Sequence, residues 1–390
     1  MGTSLRLDAH AAPPIGIRHE YKKYQKLRPR DFNEDLDIID FRRGLTRSQD
    51  ADIVQIGAVS AERIAAVCRS FHQTDKQHIP ITENTVSPNS IPIYQHRDLP
   101  GLHVLPALLP PKTQLYLLSR LLHHELSNPE HNTNIHAHYQ VPYFLDAPFP
   151  TSEAQNAYNI TSFFSRSPSS SNLFSPKDSA THRPLSISQF LQRKLRWMTL
   201  GGQYDWTKKE YPLGPPPPFP VDIAELLHGL FPEIKPQAAI VNLYSPGDTL
   251  SMHRDVSEEC DKGLISVSLG CDCIFMVGLE ENKEDQIDDE DIRQQFSGGG
   301  RHDKNARVLA LRLRSGDVVC MSGKSRFAWH GVPRIIPGTC PEWMQEWPAR
   351  SLPEKEVGVN GSYGSSGEFE AWRGWMASKR INLNVRQMWE

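Results

Sequence analysis

His253-Arg254-Asp255 sets an imidazole and a carboxylate two residues apart. In an extended strand such residues share a face, so both can point at one spot, and the distant His330, in Trp329-His330-Gly331, could supply a third ligand. Two imidazoles and one carboxylate on one side of a metal, with positions open opposite, is the facial ligand set of a mononuclear iron(II) centre that handles oxygen. An H-x-D triplet alone is common, and a lone strand histidine is more often structural, so the surrounding residues decide. Asn242-Leu243-Tyr244 precedes the triplet, with a turn at Ser245-Pro246-Gly247-Asp248 between. Two antiparallel strands joined there could bring Asn242 and Tyr244 close to His253 and Asp255.

A second string, Arg380-Ile381-Asn382-Leu383-Asn384-Val385-Arg386, alternates strictly. Arg380, Asn382, Asn384 and Arg386 fall on one face, and Ile381, Leu383 and Val385 on the other. By itself this reads as a half-exposed strand with its polar side in water. Coupled to a buried metal it reads as a seat for a dicarboxylate, because guanidinium binds carboxylate bidentately and never deprotonates.

The elements that must position these groups are mostly short strands. Alternating or β-branched runs predict strands over 239–244, 263–269, 273–277, 307–313, 317–321 and 380–388. Apolar stripes predict helices around 112–126, after a Pro-Pro start, and over 221–230. Many strands with turn signals between them point to a sandwich or jelly roll rather than βαβ units. The Ser- and Pro-rich stretch 164–184 reads as a mobile loop. Two further insertions, an acidic and Gly-rich one near 280–307 and a Pro/Gly/Ser-rich one near 337–368, read as surface excursions. The basic segment 18–30, with Tyr21 and Tyr24 interleaved, reads equally as a phosphate-contacting arm or as a solvated helix end.

The bulk numbers exclude several classes. A chain of 390 residues with 38% hydrophobic content can bury a real core, as one large domain or two modest ones. Its 43 Lys and Arg against 46 Asp and Glu give no global basic signature, so any nucleic-acid surface has to be local. Six cysteines with no C-x-x-C pair suggest free thiols in a reducing, intracellular compartment; the sequence does not separate nucleus, cytoplasm and mitochondrion. No apolar run is long enough to span a membrane, and no membrane or obligate protein partner is expected. Met1-Gly2-Thr3-Ser4-Leu5-Arg6 has Arg where a myristoylation signal needs Ser or Thr.

Taken together, Asn242-x-Tyr244, His253-x-Asp255, Gly316-Asp317-Val318-Val319 leading to His330, and Arg380-x-Asn382-x-x-x-Arg386 resemble the AlkB family of Fe(II)- and 2-oxoglutarate-dependent dioxygenases over about 195–388. Leu195-Arg196-Trp197-Met198-Thr199-Leu200-Gly201-Gly202-Gln203-Tyr204-Asp205-Trp206 and Ser257-Glu258 are similar to the eukaryotic branch typified by the first animal AlkB homologue. Tyr24-Gln25-Lys26-Leu27-Arg28-Pro29 followed by Ile38-Ile39-Asp40-Phe41 resembles that branch less specifically.

The resemblance implies a mainly β fold of the α+β class. It would have a double-stranded β-helix (jelly roll) core with flanking helices, an N-terminal extension over 1–100, partly flexible, and the dioxygenase domain over 101–390. It implies Fe(II) on His253, Asp255 and His330, and 2-oxoglutarate on Asn242, Tyr244, Arg380, Asn382 and Arg386. Arg380 would take the distal carboxylate, and Arg386 would lie near the metal-binding end. Trp197, Tyr204 and Ser257 would meet the substrate, with the two aromatics in a lid where they can stack on a flipped base; a core cluster with Trp206 and Tyr211 is the alternative. The implied reaction consumes O₂, releases succinate and formaldehyde, and demethylates N-methylated bases in flipped or single-stranded tRNA or DNA. The competing reading is the same chemistry on a protein side chain. Bacterial AlkB has Asp where this chain has Ser257, and Gly202 replaces an aromatic before Gln203, so base preference does not carry over.

Overall fold

In the computed structural model the Arg380–Arg386 strand lies at the heart of a sheet, paired antiparallel with Ala238–Tyr244 on one side and Leu264–Gly270 on the other. Both of its faces are covered. Ile381, Leu383 and Val385 are fully buried in the apolar core, and Arg380 and Arg386 on the opposite face are buried as well, so the half-solvated strand is ruled out. The structure describes residues 7–73, 89–145, 160–170, 173–205, 210–212, 214–280, 306–349, 367 and 369–389.

Among these residues an eight-stranded sheet runs in the order Trp197–Gly201, Ala238–Tyr244, Arg380–Arg386, Leu264–Gly270, Val318–Met321, Leu102–Leu105, Ile91–His96 and Ile53–Val59. A five-stranded sheet holds Ile38–Ile39, Ala306–Leu313, Cys273–Glu280, Trp329–Ile335 and Leu250–His253 in that order. This is the expected jelly-roll core with flanking helices. From the smaller sheet Phe275, Val277, Leu311 and Leu313 turn inward to the main core. Their neighbours Ile274, Met276 and Ala310 turn outward and, by strand alternation, form a second core beneath helix α1, Ile15–Lys26.

The expected helices are present as Pro111–Ser119, continued by a wider turn over Arg120–His124, and Val221–Leu230. All six cysteines are buried and free.

Several expectations need correction. Of the basic segment, residues 18–26 fold within α1, with Ile17, Tyr21 and Tyr24 buried against the smaller sheet, so its tyrosines are core anchors and its cations lie on the exposed side of a helix. The loop expected over 164–184 contains a paired strand, Leu173–Pro176, with Phe163, Phe164 and Phe174 buried. Three phenylalanines supply the apolar burial that Ser-rich composition hid; residues 171–172 lie outside the described residues.

Part of the 337–368 excursion is also packed, since Cys340, Met344 and Trp347 are buried around the short helix Glu342–Gln345. The rest of it, and 281–305 of the acidic insertion, fall outside the described residues. Finally, strands Ile53–Val59 and Ile91–His96 pair onward to Leu102–Leu105, so a division at residue 100 falls inside one sheet rather than between units.

Candidate active site

His253 and His330 face each other directly across the pairing of Leu250–His253 with Trp329–Ile335. The strands approach closely because of Gly331: a Cβ there would lie 2.8 Å from the Leu250 carbonyl oxygen. Their imidazole centroids are 4.4 Å apart. Asp255 follows just beyond the strand end, with Oδ1 3.6 Å from His253 Nε2 and Oδ2 4.0 Å from His330 Nε2. One ligand atom from each of the three lies within 4.8 Å of the others, so the spacing expected from sequence does converge on one point.

The tautomers follow from the backbone. His253 Nδ1 sits 2.9 Å from the Ser251 carbonyl and His330 Nδ1 3.0 Å from the Ala328 carbonyl. A carbonyl only accepts, so each Nδ1 carries the proton and each Nε2 keeps its lone pair for a cation. Burial, reinforced by the neighbouring His253, pushes His330 down to about 4, which keeps it neutral at neutral pH. Burial alone would raise the Asp255 carboxyl, but the Arg386 guanidinium and the two imidazoles hold it well below the usual carboxylate range. Asp255 Oδ2 accepts from Arg386 Nη2 at 2.7 Å and Asn384 Nδ2 at 3.3 Å, which leaves Oδ1 toward His253 as the freer ligand oxygen.

The polar face of Arg380–Arg386 forms the floor. By register Gly270, Arg380 and Tyr244 lie in one row, Ser268, Asn382, Asn242 and Trp197 in the next, and Ser266, Asn384, Ile240 and Thr199 in a third. Arg380 donates to the Cys271 carbonyl at 3.1 Å and to Ser268 Oγ at 2.8 Å, while its Nε finds no partner. The hydroxyl of Tyr244 is likewise buried without a partner. Two orphaned donors in adjacent strands cost stability unless something supplies an acceptor, and a carboxylate does. Asn382 donates to Ser266 Oγ at 2.8 Å and to the Val267 carbonyl at 3.1 Å. The triad, Asn242, Arg380, Asn382 and Arg386 all line one cavity of about 400 Å³, ample for a small ligand.

Three residues that sequence reading did not single out as partners complete the site. Tyr211 Oη accepts from Arg386 Nη1 at 3.1 Å. Behind the metal ligand, Glu258 accepts from Arg326 Nη2 at 3.0 Å and lies 3.3 Å from Arg386 Nε. Arg326 also donates to the Asp255 carbonyl at 2.7 Å, so this fully buried set braces the turn that carries the ligand. Nothing in linear spacing marks an ion pair across 68 residues, and a charged residue in a loop reads as surface.

The substrate-side expectations divide. Tyr204 and Ser257 line the cavity, with their hydroxyls 3.4 Å apart, and Tyr204 meets Tyr211 edge to face. Trp197 does not line it. It sits half-buried on the edge strand, opposite Asn242, so it shares the site's face of the sheet but lies at its margin. Trp206 is outside the described residues.

A model of the 2OG-Fe(II) oxygenase superfamily matches residues 159–386. The chain is 42% identical over 386 residues to the N6-methyladenosine RNA demethylase ALKB1 of Pyricularia oryzae, covering 98% of each chain. It is 47% identical over 258 residues to the N6-methyladenosine RNA demethylase ALKBH of Cryphonectria parasitica, covering 65% of this chain and 99% of that one. It is 34% identical over 304 residues to the tRNA demethylase abh1 of Schizosaccharomyces pombe, covering 76% and 82%.

Proposed function

The chain belongs to the 2OG-Fe(II) oxygenase superfamily, in its AlkB branch, and from that premise we propose that it oxidatively demethylates N-methylated bases in nucleic acid, with RNA as the favoured substrate. The observation that carries the chemistry is a pre-formed His253/Asp255/His330 set sharing one cavity with Arg380, whose buried Nε has no partner, while Tyr244 Oη is orphaned beside it on the adjacent strand. The donor set suits Fe(II), and the orphaned donors suit a carboxylate. Support for the substrate comes from two relatives named for RNA demethylation, one matching 98% of this chain and the other 76%.

In this reading His253, Asp255 and His330 hold the iron, with Nε2 of each imidazole and Oδ1 of Asp255 as donors. Arg380 and Tyr244 take one carboxylate of 2-oxoglutarate at the far end of the floor. Arg386, held by Asp255, Glu258 and Tyr211, fixes the ligand carboxylate and the charge near the metal. Asn242 and Asn382 lie between, where their amides align the co-substrate along the strand. When bound, iron and 2-oxoglutarate supply the oxidising power that inserts oxygen from O₂ into a C–H bond, with release of CO₂ and succinate; a hydroxylated N-methyl then leaves as formaldehyde. The protein's contribution is positioning: it keeps His330 neutral and Asp255 ionised, and leaves the His253 flank of the site half-exposed. Tyr204 and Ser257 frame the entrance, where a base taken out of the stack has to lie for its methyl to reach the metal.

The test is direct. Full-length protein is incubated with Fe(II), 2-oxoglutarate and oligoribonucleotides carrying N6-methyladenosine or N1-methyladenosine, and the digested nucleosides are weighed by mass spectrometry. Loss of a methyl mark that disappears with His253→Ala is expected. Retention of every N-methyl mark by an enzyme that still converts 2-oxoglutarate points instead to a different class of substrate.

A further inference from the structure

We propose that the outward face of α1 is a phosphate-binding surface that holds the backbone of the nucleic-acid substrate beside the cavity mouth; this rests on the nucleic-acid reading above. At 3.6 residues per turn, Ile17, Tyr21 and Tyr24 share one side of the helix, and all three are buried against the smaller sheet. The other side is mostly basic: Arg18, His19, Lys22, Lys23 and Lys26 are exposed, with Ile15 the one exposed large apolar residue among them. Arg18, Lys22 and Lys26 stand four residues apart, so they form a stripe in which each cation repels the next and lowers the helix's own stability.

Nothing among the described residues relieves that repulsion. Lys23 is neutralised by Asp37 at 3.0 Å and Arg28 by Asp31 at 2.7 Å, but Arg18, Lys22 and Lys26 make no ion pair among the described residues. The helix's single carboxylate, Glu20, is two positions from both Arg18 and Lys22 and therefore lies off the stripe. On a chain whose formal charge is -3, an uncompensated row of three cations is complementary to a polyanion. Its place in the fold adds the second argument. Helix α1 packs on Trp329–Ile335 and Leu250–His253, the strands that carry His330 and His253, and Ala9, shortly ahead of the helix, lines the cavity. The helix covers the face of this sheet opposite the cavity, beside its edge strand Leu250–His253, so nucleic acid on the stripe reaches the metal ligands past that edge and Ala9.

An anionic membrane is the other polyanion such a helix could meet. Membrane-surface helices bury an apolar face in the lipid, and here that face is already spent on the sheet, which favours nucleic acid.

The experiment compares the full-length protein with R18Q/K22Q/K26Q, glutamine being a good helix former. Binding of an unmethylated single-stranded RNA is followed by fluorescence anisotropy across a NaCl series. Each phosphate contact on a single strand contributes about 0.7 to the slope of log affinity against log salt, so loss of three makes the variant's slope shallower by about 2. Turnover at saturating RNA stays the same while KM for RNA rises. Single variants, each expected to flatten the slope by about 0.7, carry the test if the triple variant does not fold. A variant slope equal to the wild type's overturns the placement, as does tighter binding to phosphatidylserine vesicles than to RNA through the same three residues. Absence of any RNA binding by the wild type removes the nucleic-acid reading itself, which separates the two failures.

Discussion

At the residue scale the account rests on which side chains have lost their water and what they gained instead. Arg380 is buried with one guanidinium nitrogen unpartnered, so it is held for a ligand rather than for the fold. Arg380→Lys removes the forked geometry and is expected to raise the KM for 2-oxoglutarate by about 10- to 100-fold, the span of a lost charge-assisted hydrogen bond of roughly 1.5–3 kcal/mol, read by succinate formation. Tyr244→Phe deletes a neutral hydroxyl and should raise it about 10-fold or less. Glu258 differs, because its partners Arg326 and Arg386 are themselves buried. Glu258→Gln leaves two guanidiniums under-compensated and is expected to cost about 3–5 kcal/mol in chemical denaturation, where a surface glutamate would cost almost nothing.

The elements were legible where composition and period agree. The strands over 238–244, 264–270, 306–313 and 380–386 alternate or are β-branched, and they stand where the pattern puts them. His253, Asp255, His330, Arg380 and Arg386 were readable because few other chemistries use those residue types in that order. Other features were hidden for physical reasons. Tyr211, Glu258 and Arg326 reach the site from distant segments by ion pairs and hydrogen bonds, which leave no period in sequence. The region around 164–184 was hidden by its serines, although the burial of Phe174 is what orders it. Phe174→Ala is therefore expected to destabilise the protein by about 3–5 kcal/mol in chemical denaturation, whereas a loop residue would shift stability by no more than about 0.5 kcal/mol.

For the whole molecule, burial lowers the proton affinity of His72, His96, His103, His131, His136 and His330, taking His72 and His330 to about 4. An unfolded histidine protonates near pH 6.5, so below that the unfolded chain binds protons that the fold refuses, and stability falls as pH drops toward 4. Asp255 acts in the same sense, since its depressed pKa contributes stability that is lost on acidification. Burial raises Glu125 to about 7, which opposes the trend between about 4.5 and 7 without matching six histidines. Thermal unfolding of the metal-free protein should show Tm declining from pH 6.5 to 4; a flat or rising profile would mean these histidines are solvated.

If one cavity couples 2-oxoglutarate turnover to removal of a methyl from a base, its two products must appear together. Full-length enzyme with Fe(II), 2-oxoglutarate and an N-methylated oligoribonucleotide should release formaldehyde and succinate in equal amounts, and His253→Ala should release neither. Succinate formed at the same rate with and without the oligonucleotide, and no formaldehyde, would contradict it.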